Sequence, residues 1–466
     1  MKDQTSASRS LTALIARFVR GVAYTDIPER IREPLGQSIV DTIGCGLLGT
    51  TTPYSKLITQ YVHEWNSAGE TTVWGTRVKA SAPFAAMANS AACHAWDYDD
   101  TILPGILHPG SVAVPTAFAI AERRSTSMKG KELITAIATG YEVGSVIATA
   151  LGGKRFAADG FYVSVPTIFV AAATAAKLMR LTEEQTMRAL GLAATQAAGL
   201  YSATLAKRFN SPKAVLGGIF AADLTKRGLE ASHDAIEAEY SGLLSTFARS
   251  PQPDIIPRDL GRFNFEIYHK FYPCIRSNHP TVDNVRLMLE ENAEIKSSNI
   301  EKIVSHVDQL TIDYTLNTTA GGAENVNTVG NALISLPYCV AAMVIDGKLT
   351  LREFTPAKVR RPAVQSLMKK VALIADPSIE KLAATQRYRC RSEIHLKGGR
   401  VIERSLAGPK GDPNNRLTRD EMYSKFLSNA SRTMPTARAA SLFEALSDLP
   451  KASDIRPVIL LMKGAR

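Results

Sequence analysis

Residues 94–111 read HAWDYDDTILPGILHPGS and pack two histidines and three aspartates into one short stretch. Asp97, Asp99 and Asp100 stand between His94 and His108 with no basic residue among them. Like charges this close repel, so a chain keeps them only where something is gained. Three gains are possible. Several oxygens could hold a hard cation. A histidine backed by a carboxylate could move a proton near neutral pH. The acids could also simply accept backbone hydrogen bonds in a tight loop around Pro104, Gly105, Pro109 and Gly110. A cation site would call for further carboxylates at matching spacing, and the sequence shows no such set, so no metal is expected.

Two further stretches carry charge in useful company. In LAKRFNSPKAVLGG, residues 205–218, Lys207, Arg208 and Lys213 surround a helix start expected at Pro212. Cations beside the exposed N–H groups of a helix N-terminus make an anion site, and the alternative is a solvated basic loop. In YHKFYPCIRSNHP, residues 268–280, Lys270, Arg276 and His279 stand with Tyr268 and Tyr272. Ligand sites favour junctions between domains, although this stretch also reads as a linker with incidental charge.

The elements that must position these groups change along the chain. The first half is helix after helix. Ile31, Leu35, Ile39, Ile43 and Leu47 recur at spacings of four over residues 29–50, and Leu133, Ile134, Ile137 and Tyr141 mark another helix over 131–151. Thr182 and Gln185 fit a capping box. A helix is expected over 212–230, opening on Pro212. Abundant alanine and glycine permit close helix–helix approach, as in a buried bundle. Beyond about residue 270 the pattern shifts. KIVSHVDQLTIDYTL alternates like a strand, and VALIADPS, YRCRSEIHLKG and RVIERSLAG are further strands, the last two joined at Gly398–Gly399. Helical runs at 281–292 and 331–346 lie between, and the helical pattern returns from about 418. The fold class expected is mainly α: a large all-helical domain from 1–270 and 409–466, with a smaller α+β lid domain, 271–408, inserted.

Composition narrows the function classes. The 466 residues are 45% hydrophobic and 21% charged, enough for a large core and more than one domain. No apolar run reaches the roughly 18 to 20 residues of a membrane span. The N-terminus lacks a secretory signal pattern and instead spaces Leu11, Leu14, Ile15 and Phe18 as an amphipathic helix. Cys45, Cys93, Cys274, Cys339 and Cys390 are dispersed, without the spacing of a disulfide framework or zinc ribbon, which suits a reducing cytoplasm. The net charge of +11 is scattered rather than blocked with aromatics, so it suits capture of small anions better than nucleic acid.

Taken together, NSAACHAWDYDDT with HPGS, AKRFNSPKAVLGG, KFYPCIRSNHP, ALISLPYCVAAMVIDGKLT and GPKGDPNNRLTRDEMYSKF resemble successive motifs of the MmgE/PrpD family, in order, over residues 30–430. The family includes 2-methylcitrate dehydratase, cis-aconitate decarboxylase and iminodisuccinate epimerase. The resemblance implies a helical domain with an α+β lid, a homodimer, no cofactor, and a metal-free site for small di- or tricarboxylates. It places Asp97, Thr101, His108, Lys207, Lys270 and Tyr338 on family site positions. One departure stands out. Where decarboxylases and dehydratases of the family read Gly-Phe-His-Pro, this chain reads Gly160-Phe161-Tyr162-Val163.

The chemistry shared by such substrates is proton movement at a carbon next to a carboxylate. Charge must spread onto that carboxylate, so cations are needed, and Lys207, Arg208, Lys270 and Arg276 are the candidates. His108 is the expected base, with Asp97 orienting it or sharing its proton. His94, Thr101 and His279 are expected at the substrate. Tyr162 or Tyr338, its phenol lowered by a lysine, would be a second acid/base. The departure at Tyr162 makes an epimerase of iminodisuccinate type the sequence expectation, with a lyase, or a non-catalytic polycarboxylate-binding protein, as alternatives.

Overall fold

The computed structural model describes residues 10–66, 68–124, 126–153, 156, 160–161, 164–200, 207–317, 326–382 and 384–464. The fold is mainly α. The chain divides into two compact units. One takes the residues up to Ala95, Asp99–Ile267 and Thr418 onward; the other takes Trp96–Tyr98 and Tyr268–Leu417. The second unit therefore runs on to Leu417, past the change of pattern read at 408, and it includes three residues of the aspartate-rich stretch.

The first unit opens with α1 (Leu11–Gly21), α2 (Glu29–Gly49), α3 (Pro53–Trp65), α4 (Ala82–Cys93), α5 (Gly110–Arg123), α6 (Gly130–Ala150), α7 (Ser164–Met179), α8 (Glu183–Ala194) and α9 (Lys207–Lys226). Thr182 and Gln185 form the expected capping box of α8. Small residues let these helices meet backbone to backbone. A Cβ on Gly218 of α9 would stand 2.5 Å from Ala171 Cβ of α7, and one on Gly49 of α2 would fall inside the Ala92 carbonyl of α4. Two sequence expectations need correction. By length and composition α6 is apolar enough to cross a membrane, although 94% of its apolar window is buried inside the protein, where it serves as a core helix. α9 begins at Lys207 and carries Pro212 inside it rather than at its start. Proline is cheapest in the first turn, but the packing of α9 against α4 and α7 outweighs the hydrogen bond it forgoes here.

The second unit holds α10 (His279–Glu291), α11 (Leu336–Asp346) and a four-stranded sheet of β1 (Ile300–Val307), β2 (Val371–Ala375), β3 (Cys390–Leu396) and β4 (Val401–Leu406), in the order β2-β1-β3-β4. β1 and β2 are parallel and the other pairs antiparallel. Gly398 and Gly399 close the β3–β4 hairpin at φ 97° and 88°, a conformation that favours glycine. α10 covers β3 and β4, burying Val282, Val285 and Met288 with Ile300, Ile303 and Ile394. The strand read through residues 302–316 stops at Val307. The Asp308 carboxylate accepts from Thr311 N at 3.0 Å, and residues Gln309–Asn317 turn helical. The 331–346 run is broken at Ser335, whose hydroxyl accepts from Tyr338 N at 3.2 Å to cap α11.

The chain then returns to the first unit with α12 (Arg419–Ala430) and α13 (Thr436–Ser447), both packed on α2. All five cysteines are buried free thiols.

Candidate active site

In the first unit α4 ends at Cys93, and His94 is its C-cap. The chain then builds a small closed loop. Ile102 and Leu107 pair through N–H···O bonds of 2.9 and 3.3 Å, which turns His108 back over Asp100. The three acids are accounted for one by one. Asp99 is fully buried and accepts from His94 Nδ1 at 2.9 Å (Oδ2) and 3.1 Å (Oδ1). Asp100, also fully buried, accepts from Gly110 N at 3.1 Å and from the Tyr141 hydroxyl at 2.6 Å. Only glycine fits at 110, because a Cβ there would stand 2.5 Å from Asp100 Oδ1. Burial pushes the Asp100 carboxyl up to about 7; the charges of Asp99 and Asp41 add to this, against the hydrogen bonds from Tyr141 and Ser38.

His108 is the more exposed end of this cluster. Its side chain is 15% exposed, against 2% for His94 and none for Asp99. Its Nδ1 lies 2.8 Å from the Asp100 carbonyl oxygen. A carbonyl only accepts, so that Nδ1 carries the hydrogen, and in neutral His108 the lone pair is on Nε2. Thr101 Oγ1 lies 3.4 Å from the same Nδ1. The arrangement is an imidazole oriented by a backbone carbonyl, so that the lone pair of the neutral ring is on Nε2. A nitrogen of His94, one of His108 and an oxygen of Asp99 lie within 4.8 Å of one another, so the described residues do contain a three-donor set that the sequence spacing did not reveal. Within this set Nδ1 of His94 and Asp99 are hydrogen-bonded to each other, and Nδ1 of His108 to the Asp100 carbonyl.

The second unit collects other expected residues. Lys270 is fully buried; its ammonium donates to the Asp97 carbonyl at 2.7 Å and pairs with the Asp97 carboxylate. Asp97 sits at φ 51°, a left-handed conformation costly for a residue with a Cβ, and the two lysine contacts hold it there. Tyr98 beside it donates to the Phe271 carbonyl at 3.1 Å. Asp97 is thus Lys270's partner, and the Asp100 carbonyl holds Nδ1 of His108. Arg276 is 4% exposed, stacked between the rings of Tyr268 (5.4 Å) and Tyr388 (5.1 Å) and paired with Asp412. Burial lowers its guanidinium to about 10. His279 starts α10, fully buried against Tyr272 at 5.3 Å, with Nε2 3.4 Å from the Cys274 carbonyl. The Tyr338 hydroxyl donates to the Glu353 carbonyl, and its ring packs on Phe354. Burial raises its phenol, so the expected lowering by a lysine is corrected.

The remaining candidates divide as follows. Tyr162 lies outside the described residues. Lys207 opens α9, with its side chain outside them too. Arg208 is half-buried in the first turn of α9, and Lys213 reaches the Ala198 carbonyl at 3.4 Å. Sequence reasoning missed Tyr141, Asp41 and Lys425. Asp41 and Lys425 form a buried pair at 2.7 Å between α2 and α12. The available signal was Asp41 itself, a charge inside the apolar run SIVDTIGCGLLG.

Comparison with known proteins adds the family. Residues 13–256 match the MmgE/PrpD N-terminal domain and residues 272–449 the MmgE/PrpD C-terminal domain. Cis-aconitate decarboxylase of Homo sapiens is 26% identical over 98% of this chain and 95% of the human protein. The Aspergillus terreus enzyme of that name is 26% identical over 98% of this chain and 97% of its own, and that of Mus musculus 26% over 98% and 94%. The N-terminal match covers the motif around His108 and the C-terminal match opens two residues after Lys270; together they span most of the chain, which belongs to the MmgE/PrpD family.

Proposed function

We propose that this protein is a cofactor-independent lyase of a small di- or tricarboxylate. In the proposed step His108 removes a proton from a carbon next to a carboxylate. The single observation that carries the step is the Nδ1 hydrogen bond of His108 to the Asp100 carbonyl, which leaves Nε2 as the base. For loss of water, the C–H bond breaks, an N–H bond forms on Nε2, and the electron pair passes through the substrate carboxylate into a C=C bond as the hydroxyl on the neighbouring carbon leaves, protonated, as water. For loss of carbon dioxide the proton runs the other way, the C–C bond to a carboxylate breaking and its electron pair taking a proton from protonated Nε2. Cations must then hold that carboxylate, and Lys207 and Arg208 at the start of α9 are the candidates for this. The relatives named cis-aconitate decarboxylase favour a lyase over the epimerase expected from the sequence. Tyr162, where lyases of the family carry histidine, keeps an epimerase as the second reading.

Proton NMR in deuterated buffer, with a panel of tricarboxylates and amino-dicarboxylates, separates the two. Carbon dioxide release, or an alkene formed with loss of water, is the expected outcome. Deuterium incorporation with inversion and no new product would hand the case to the epimerase. Binding with neither exchange nor product would show a carboxylate-binding protein instead.

A further inference from the structure

His108 is not held alone. The same oxygen of Asp99, Oδ2, lies 2.9 Å from Nδ1 of His94 and 3.9 Å from Nδ1 of His108. The two imidazoles stand 4.8 Å apart, tilted by 55°. A fully buried carboxylate therefore faces the Nδ1 edges of two rings, and only the ring of His108 reaches solvent. We propose that Asp99 is the positioning residue of the base: it supplies the counter-charge for His108 once Nε2 has taken the proton, and His94 fixes Asp99 in that place. This rests on the reading of His108 as the base.

The roles follow from donor and acceptor counting. An ionised carboxylate only accepts, so His94 Nδ1 donates to Asp99. His108 Nδ1–H is already given to the Asp100 carbonyl, which is why it stands off from Asp99 at 3.9 Å rather than bonding to it. Neutral His108 thus needs nothing from Asp99. Protonated His108 does, because its new charge lies beside a carboxylate that burial leaves poorly screened. An interaction stronger after proton transfer than before it is the kind that raises kcat rather than lowering KM.

The surrounding charges point the same way. Cys93 and His94 belong to α4 and its cap, Asp99 and Asp100 to the loop, Asp41 and Cys45 to α2, Tyr141 to α6, and Lys425 to α12. The charges of Asp99 and Asp41 favour an imidazolium, and Asp100, its carboxyl pushed up by burial to about 7, adds to this only where it is ionised. Lys425 is the cation among them, and it is engaged with Asp41 at 2.7 Å. The thiols of Cys45 and Cys93 and the phenol of Tyr141 are pushed up by burial and stay neutral.

The test replaces Asp99 by asparagine, which keeps shape and removes charge. Folding is checked by thermal melting, and kcat and KM are measured from pH 5 to 9. The expected result is a kcat loss of about 100-fold or more with KM changed by less than about threefold. The acid limb of the kcat profile should also move to lower pH, since His108 holds its proton less firmly, and Asp99→Glu should bring the limb back. A folded Asp99→Asn with the wild-type rate, or one slowed without any movement of the limb, would overturn the proposal by leaving Asp99 a purely structural role. His108→Gln, assayed alongside, separates the two levels. If it is inert while Asp99→Asn turns over normally, the base stands and the positioning role falls. If His108→Gln is active, both fall. Should Asp99→Asn not fold, nitrogen-15 NMR of histidine-labelled wild-type protein decides. The proposal requires the Nδ1–H tautomer in neutral His108, and an Nε2–H tautomer would overturn it.

Discussion

At the scale of single residues, the arrangement around Lys270 changes what a substitution there should do. From sequence, Lys270 reads as a clamp for the substrate carboxylate, and Lys270→Ala should then cost activity alone. In the structure its ammonium is fully buried on Asp97. Removing one member of a buried pair strands the other charge, at a cost of about 3–5 kcal/mol. Lys270→Ala should therefore lower the denaturant midpoint strongly, and a midpoint equal to wild type would show that Asp97 has water or another partner. His108→Gln, by contrast, should remove about 10²- to 10⁴-fold in kcat with an unchanged midpoint. Whether the His94, Asp99 and His108 donors serve a cation is equally open to measurement. With His94 Nδ1 and Asp99 engaged with each other, turnover should survive exhaustive dialysis against EDTA; loss that a divalent ion restores would show a metal enzyme.

At the scale of elements, the local signals that survived are those where chain and packing agree. The capping box at Thr182, the glycine hairpin at 398–399 and the four-residue spacing of α2 are all read correctly, because each satisfies its hydrogen bonds or its buried face within a few residues. The strand read past Val307 failed for a physical reason. Alternation continued through DQLTIDYTL, but Asp308 could cap a helix, and capping won. The site was legible as residue types, and its partners were not. Nothing near His94 in sequence announces Tyr141 or Lys425, since both arrive from other helices through tertiary packing. Two predictions belong here. Gly49→Ala must push α2 off the Ala92 carbonyl of α4, and should cost roughly 1–3 kcal/mol in chemical denaturation. Glu142 on α6 accepts from Gly261 N at 2.7 Å and Phe263 N at 3.1 Å, and burial pushes its carboxyl up to about 7, the two N–H bonds pulling the other way. A carboxyl raised in the folded state keeps its proton there while the unfolded chain loses it, so stability is lost as pH rises from about 4.5 towards about 7. Glu142→Gln removes that contribution. Its melting temperature relative to wild type should improve between pH 5 and pH 7.5, and a constant difference would show that Glu142 is ionised throughout.

At the scale of the whole molecule, charge is the property that no single element explains. The chain carries +11 overall, yet several of its buried cations are committed: Lys270 to Asp97, Arg276 to Asp412 and Lys425 to Asp41. Those buried pairs are neutral at a distance and cannot draw in a polyanion. The excess must come from the remaining, more exposed lysines and arginines, whose field acts over the screening length, about 30 Å at 0.01 M salt and about 10 Å at 0.1 M. Such a field raises the rate at which a di- or tricarboxylate reaches the protein, and it leaves the chemical step alone. With a turned-over polycarboxylate in hand, kcat/KM should therefore fall several-fold between 10 mM and 300 mM sodium chloride while kcat stays constant. A substrate analogue with one carboxylate esterified should show a shallower fall, because fewer charges are steered. If kcat/KM is flat for both, capture is not limited by encounter and the basic surface serves another end. If kcat falls as well, the salt is reaching the carboxylate-holding groups themselves, and steering is not the explanation.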